Sequence, residues 1–239
     1  RIDGERFPIE QNVLRGDGWI FRDKTDERIV AKIEEQPNIV LDELTESISE
    51  GIVTGKNQVF LLPIDTADKL GFEKELLKPA IQGKQIQQYF HEPVQNVVIY
   101  PYRSKENYTE LIPDEDLAHL FPITWRYLSS HRQNLKGRKY FDESSKGWYE
   151  LWCERNFRQQ ATDKIIVPEL ASRNRFAYCE KSTFYLDTVC GIIPKNKDFK
   201  TYLYLLGLLN SSLLEFYYKK CKKDIENWWA KKNYLSCPN

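Results

Sequence analysis

Between Lys164 and Pro194 the chain carries four short apolar, β-branched or aromatic runs in quick succession: KIIVPEL, RFAYC, FYL and TVCGIIP. Runs this short read as strands, and their spacing predicts a curved antiparallel sheet. An almost wholly apolar stretch follows, Tyr202 to Asn210, and predicts a buried helix. Ser211 and Ser212 can cap a further helix from Leu213 to Lys223, whose Lys219, Lys220, Lys222 and Lys223 suit the negative end of the helix dipole. Val94 to Tyr100, stopped by Pro101, reads as another buried strand with Tyr102 and Arg103 at its exit. Together these predict an α+β fold: a twisted, largely antiparallel sheet with peripheral helices and a helical C-terminus.

Upstream of that sheet the pattern is less regular. Residues 1–18 hold charges, Pro8, Gly16 and Gly18 without periodicity, and read as a linker. Asp26 is placed to cap a helix through Ile33 that stops before Pro37. Leu44 to Leu62 (LTESISEGIVTGKNQVFLL) predicts a hairpin with Gly55-Lys56-Asn57 as its turn, so that its tip presents Thr54, Lys56 and Asn57. Leu76 to Phe90, broken by Pro79 and Gly83, reads as loop with a short helix. The expected division is a lead-in over residues 1–40, a main domain over 41–220 and a helical tail over 221–239.

Composition removes several classes of function. The 239 residues carry 35 acidic and 35 basic side chains, so no global field draws the chain to a polyanion, and any such site is local. The distribution permits one, because thirteen acids and seven bases fall within residues 1–50, which leaves the remainder net positive. The five cysteines are scattered, odd in number and never spaced Cys-x-x-Cys, which argues against a disulfide framework or structural zinc and for a reducing cytoplasm. No apolar run is long enough to span a bilayer. The chain opens on Arg1 and has no methionine, and it reads as part of a longer polypeptide.

The local positive site lies in the stretch from Phe121 to Arg158. It opens as a helix with Trp125, Leu128 and Leu135 near one face, and the pattern breaks at Lys136-Gly137. A polar loop with Arg138, Lys139, Tyr140 and Lys146 follows, then the aromatics Trp148, Tyr149, Trp152 and Phe157 interleaved with Arg155 and Arg158. Eight basic residues stand against four acidic ones here. Cations can collect phosphates, and Arg can also bond guanine edges. An amphipathic helix with Arg outside and tryptophans in a core explains the same pattern as a solvated face.

Catalytic motifs are missing. There is no phosphate-binding loop of the Walker type, His91, His119 and His131 lie far apart, and no serine or cysteine sits in a nucleophile elbow. Asp187 with Asp198-Phe199-Lys200 has the spacing of a metal-dependent nuclease, but the acid-x-lysine pair falls in a loop rather than on a strand.

Several segments, in order, resemble the TaqI-like C-terminal specificity domain of adenine-specific DNA methyltransferases and fused restriction-modification enzymes. They are Gly51-Ile52-x-Thr54-Gly55-x-Asn57-x-Val59-Phe60, Leu77-Lys78-Pro79-x-Ile81-x-Gly83 with Tyr89-Phe90, and Val98-Ile99-Tyr100-Pro101-Tyr102. Trp125 with Tyr127-Leu128 and Arg132, Trp148-Tyr149, Lys164-Ile165-Ile166, Arg175-Phe176-Ala177, and Leu206 to Ser211 leading into Leu214 to Tyr217 complete the set. The resemblance implies a non-catalytic module that holds duplex DNA and reads bases in the major groove while an upstream domain flips out an adenine. Neither the methyl-donor motif nor the Asn/Asp-Pro-Pro-aromatic motif of that catalytic part is in this chain. The resemblance thus implies no cofactor here, S-adenosylmethionine for the parent enzyme and Mg²⁺ as well if the parent cleaves. The partners it implies are double-stranded DNA and a methyltransferase domain of the same polypeptide, with no membrane.

The family's reading loops vary, so the candidate contacts rest on side-chain chemistry. They are Lys56, Asn57, Arg103, Lys136, Arg138, Lys139, Tyr140, Lys146, Trp148 and Arg155. The lysines suit phosphates, and Arg138 and Arg155 suit bidentate guanine contacts. A protein-interaction scaffold, with the aromatic cluster as its docking face, is the competing class, and the nuclease built on Asp187, Asp198 and Lys200 is the third.

Overall fold

The computed structural model describes residues 22–36, 39–105, 108–138, 141 and 144–221. In chain order the elements are α1 (Lys24–Glu34), α2 (Leu41–Leu44), β1 (Thr45–Glu50), α3 (Asn57–Phe60), β2 (Leu61–Pro63), α4 (Ile64–Leu70), β3 (Leu77–Ile81), β4 (Asn96–Ile99), β5 (Tyr102–Ser104) and β6 (Thr109–Leu111). There follow α5 (Asp114–Leu120), α6 (Pro122–Ser130), α7 (Arg132–Lys136), α8 (Phe157–Gln160), β7 (Lys164–Pro168), β8 (Ala177–Cys179), β9 (Phe184–Tyr185), β10 (Val189–Pro194), α9 (Phe199–Leu209) and α10 (Ser212–Cys221). This is the expected α+β class with a helical C-terminal part.

The strands form two four-stranded sheets where one was expected, ordered β1-β10-β7-β8 and β2-β4-β3-β9, with β5 and β6 as a separate ribbon. The four runs between Lys164 and Pro194 are all strands. Three of them, β7, β8 and β10, pair antiparallel in the first sheet. The fourth, β9, leaves for the second sheet and pairs parallel to β3, Ala80 against Phe184 and Ile81 against Tyr185. Between the sheets lies a core of Ile81, Ile86, Ile166, Ala177, Cys179, Tyr185 and Val189. The larger core lies between the second sheet and the helical middle of the chain, where Phe60, Tyr100, Leu117, Leu128 and Leu135 are buried. α9 covers the first sheet through Tyr202, Leu205, Leu206 and Leu209, but its other face leaves Leu203, Tyr204 and Leu208 exposed, so the helix is half-buried where full burial was expected.

Three local expectations are corrected. The segment 44–62 is not a hairpin: β1 pairs with β10, β2 pairs with β4, and the residues between them cross from one sheet to the other. Residues 77–81, expected as loop, form β3 despite Pro79. The cap of α1 is Asp23, which accepts from the Asp26 amide at 2.8 Å, and not Asp26. Among the cysteines, Cys153 is disulfide-bonded, against the expectation from spacing, while Cys179 and Cys190 are free and buried.

The crossing explains Gly51. Its amide donates to Val189 in the first sheet (2.9 Å), and that of Ile52 donates to Tyr185 in the second (2.9 Å). A Cβ on Gly51 would stand 2.1 Å from the Leu186 carbonyl oxygen, so only glycine lets the backbones approach this closely. Glu73 holds the helical middle in place: its carboxylate accepts from the amides of Ile123 (2.9 Å) and Thr124 (3.0 Å) and from the Thr124 hydroxyl (2.6 Å) at the start of α6. Burial pushes this carboxyl up, but the Thr124 hydroxyl and the two helix amides outweigh it and hold it below its ordinary range.

Gly51→Ala should destabilise the fold by at least about 2 kcal/mol in urea denaturation; a loss under about 0.5 kcal/mol would mean that the crossing has room to relax. A carboxyl held low when folded contributes stability that is present above its unfolded value and is lost as pH falls through the folded one. Glu73→Ala should therefore cost about 1 kcal/mol at neutral pH and lose part of the acid-side decline in stability; an unchanged acid limb would contradict the cap.

Candidate nucleic-acid interface

Three segments run side by side in one direction. Ile52 pairs parallel with Leu186, and β9 pairs parallel with β3. The Asp187 amide donates to Ile52 (2.9 Å) and that of Leu186 to Ile81 (3.1 Å). The loops that follow, residues 54–57, 187–188 and 83–90, therefore leave at the same end. A fourth loop joins them, because Val53 pairs antiparallel with Cys153 and the residues before Cys153 run alongside those after Val53. The carboxyl ends of parallel strands are where open sheets gather their ligand sites.

The loop 54–57 turns at Gly55, whose φ of 72° lies in the left-handed region. The Thr54 hydroxyl donates to Asn57 Oδ1 (2.5 Å) and accepts from the Lys56 amide (3.0 Å). This fixes the backbone and leaves the Asn57 side chain exposed and that of Lys56 half-exposed. Lys56 has no carboxylate partner among the described residues.

Arg138 does not face outward. It is 5% exposed, and its guanidinium donates to the carbonyls of Leu135 (2.8 Å), Thr54 (3.3 Å), Glu150 (2.8 Å) and Trp148 (2.8 Å). The group stacks on the Phe141 ring, 3.3 Å from its centroid. Burial pulls it down to about 10, so it remains charged at neutral pH. Four of its five N–H donors are spent on carbonyls inside the molecule, and with 5% exposure this corrects the expectation that it reads guanine. Instead it fastens Trp148 and Glu150 to Thr54, at the start of the loop 54–57.

Arg155 is likewise committed. Its Nε donates to Gly51 O (3.0 Å) and its terminal nitrogen to Glu50 (2.8 Å), with its own backbone at φ 60°. It lies beyond Cys153, on the side of the pairing away from the loop 54–57, so its expected role as a base reader is corrected to that of a clamp at the sheet crossing.

The remaining candidates divide. Arg103, on β5, pairs with Glu110 (2.5 Å) and lies 3.7 Å from Asp116; being on the ribbon, it does not join the loop 54–57. Lys146 pairs with Glu154 (3.2 Å) and Glu150 (3.8 Å), so its charge is already balanced. Trp148 packs against Trp125 and Tyr149 with Arg132 over its ring at 4.9 Å, which makes it mostly a core residue. Lys136 ends α7, exposed and two residues from Arg138. Lys139 and Tyr140 lie outside the described residues.

The sequence reading missed the third loop. Gly83 donates to the Thr188 hydroxyl (2.9 Å), and Gly83, Lys84, Pro168, Glu169, Leu170, Arg175 and Thr188 line a cavity of about 290 Å³. Burial, with Glu50 and Asp187 nearby, pushes the Glu169 carboxyl up. The signal was Gly83, where a Cβ would meet the Thr188 carbonyl at 2.5 Å.

Residues 78–236 match the model of the TaqI-like C-terminal specificity domain. The chain belongs to this family. The type II methyltransferase M.BanIII of Aneurinibacillus aneurinilyticus is 23% identical over 207 residues, which are 84% of this chain and 34% of that protein, so the chain spans about a third of the curated relative's length. The type IIG restriction endonuclease BpuSI superposes with a TM-score of 0.50 at 16% identity, over 85% of this chain and 25% of that one, and shares the fold. The type IIL restriction-modification enzyme MmeI in complex with DNA gives 0.48 at 14% identity, over 78% and 22%.

In this specificity domain Asp187 and Asp198 do not form one site. They flank β10 at opposite ends, about 20 Å apart at strand rise, and Asp198 is the cap of α9. Among the described residues no group of three or more His, Cys, Asp or Glu is placed to hold a metal ion.

Arg138→Ala should lower stability by about 3 kcal/mol, because several buried carbonyls lose their donors at once. Arg138→Lys should recover less than half of that, since one ammonium cannot reproduce the planar fork, whereas Lys56→Ala should stay within about 0.5 kcal/mol. A stable Arg138→Ala protein in urea denaturation would return this residue to the surface.

Proposed function

We propose that this specificity domain recognises double-stranded DNA by sequence, at the end where the loops 54–57, 83–90 and 187–188 converge with residues 144–152. It serves an adenine-N6 methyltransferase whose catalytic part belongs to the same polypeptide and uses S-adenosylmethionine, with Mg²⁺ where that polypeptide also cleaves. Family membership supports the class of function, and M.BanIII is by name a type II methyltransferase. The observation that carries the placement is the internal commitment of Arg138. A buried guanidinium ties two loops together, and at their rim Lys56 and Lys136 have no ion-pair partner among the described residues while the exposed Asn57 keeps its amide nitrogen free of the Thr54 bond.

The roles follow from the chemistry. Lys56, Lys136 and Lys84 are point charges on flexible stems, suited to phosphates that set register without reading sequence. Asn57 presents its side-chain Nδ2 donor from a fixed position, which suits an acceptor on a base edge in the major groove such as a purine N7. The Thr54 hydroxyl bond to Asn57 Oδ1 selects the orientation in which the amide nitrogen points away from the loop.

Duplex affinity measured by anisotropy should fall steeply with salt, and Lys56→Ala and Lys136→Ala should each reduce the magnitude of the log-log slope by about 1. Asn57→Ala should leave the slope unchanged and relax sequence preference by about 1–3 kcal/mol at one base pair. Binding that is insensitive to salt, or absent at low salt, would refute the reading.

A further inference from the structure

The third loop carries a feature that phosphate contacts do not explain. Residues 86–91 form a tight hairpin: Ile86 bridges His91, and the Gln87 amide donates to Phe90 O at 2.9 Å. Its tip is Tyr89, a non-glycine residue with φ at 76°. A bulky side chain is rarely held in the left-handed region unless its surroundings impose it. Here they do: the Tyr89 backbone amide donates to Phe176 O (2.8 Å), Tyr89 bridges Ala177, and the Gln88 side chain donates through Nε2 to Asn210 O (3.0 Å). The backbone pairing of Tyr89 and the Gln88 side-chain bond brace the hairpin from inside and leave the rings outward, Tyr89 51% and Phe90 59% exposed.

Two adjacent aromatic rings on a braced tip, at solvent, would cost less as glycine and a polar residue if the hairpin were only a turn. The charges around them select a partner. Lys84 and Arg173 are exposed, and Arg175, half-buried, reaches Ile86 O (3.2 Å) and lines the adjoining cavity. Glu92, which accepts from Gln87 Nε2, and Glu169 are the carboxylates on the same loops. The hairpin also follows β3, so it leaves the molecule at the same end as Lys56 and Asn57.

We propose that Tyr89 and Phe90 form a stacking wedge for DNA bases, entering the duplex beside the phosphate-binding lysines and unstacking a base step at the recognised site. Aromatic and apolar side chains do this to kinked duplexes, with cations on either side holding the backbone. The wedge rests on the DNA-recognition reading and gives it a mechanical part: Lys56 and Lys136 collect the duplex, and Tyr89 and Phe90 open it. Unstacking is the step that must precede extrusion of a base for chemistry elsewhere in the polypeptide.

The test uses the chain as it stands and a duplex that it selects from a random-sequence pool, with 2-aminopurine substituted in turn for each adenine. Binding should raise the fluorescence at one step. Tyr89→Gly relieves the backbone and so folds at least as well as the native chain. It should nevertheless bind about 5- to 100-fold more weakly and lose the fluorescence rise, and Phe90→Ala should do the same. Lys56→Ala should weaken binding while the rise at saturation persists. Native fluorescence with Tyr89→Gly, or binding by the native chain without any rise, would overturn the wedge and leave DNA recognition standing. Failure of the native chain to bind any duplex would overturn both.

Discussion

A cationic side chain bonded to four backbone carbonyls, with no carboxylate among its bonding partners, holds the loop-bearing end of this molecule together. Burying a guanidinium is costly unless its donors are satisfied, and Arg138 places four of its five on the carbonyls of Leu135, Thr54, Glu150 and Trp148 rather than on an ion-pair partner. The arrangement joins segments 84 residues apart in sequence. Lys164 uses the same device in the first sheet: it is fully buried, and its ammonium donates to the carbonyls of Gln160 (2.6 Å), Thr162 (2.9 Å) and Glu180 (3.4 Å). Cations that look available in sequence thus become internal fasteners, and the rim keeps Lys56 and Lys136, which have no ion-pair partner among the described residues.

The close approach of Gly51 to Leu186 supplies the second constraint. It lets one chain segment leave the first sheet and run parallel to β9 in the second, and β3 continues that parallel set. Direction then does the rest. Three segments pointing the same way deliver their loops to one end, and the antiparallel Val53–Cys153 pairing returns a fourth loop there. Arg155 and Glu50 close the crossing from the other side at 2.8 Å. The end where the loops gather is therefore a product of topology, and the residues that make it are glycines and backbone amides as much as charged side chains.

Much of the architecture was legible because strand and helix signals are local. The runs from Lys164 to Pro194, the strand around Val98 and the break at Gly137 all follow from short-range pattern. The destination of β9 was not legible, since a two-residue strand carries no information about which sheet will accept it. Gly55-Lys56-Asn57 has the composition of a hairpin turn, yet the residues after it form a helical turn, because Phe60 and Val59 must reach the larger core. The site was harder still. Arg138 and Lys136 are two apart and chemically alike, and only the fold decides that one faces carbonyls and the other water. Tyr89-Phe90 was noted as a matching dipeptide but not as a site, because backbone sign and exposure cannot be read from residue type.

The account depends on one end of the molecule meeting the duplex, and surface labelling reads that directly. Lysine acylation followed by mass spectrometry, with and without a selected duplex, should show protection of Lys56, Lys84 and Lys136 together, while Lys69 and Lys181, exposed on other segments, react unchanged. Protection of Lys69 or Lys181 with Lys56, Lys84 and Lys136 still reactive would place the DNA on a different face and contradict the account.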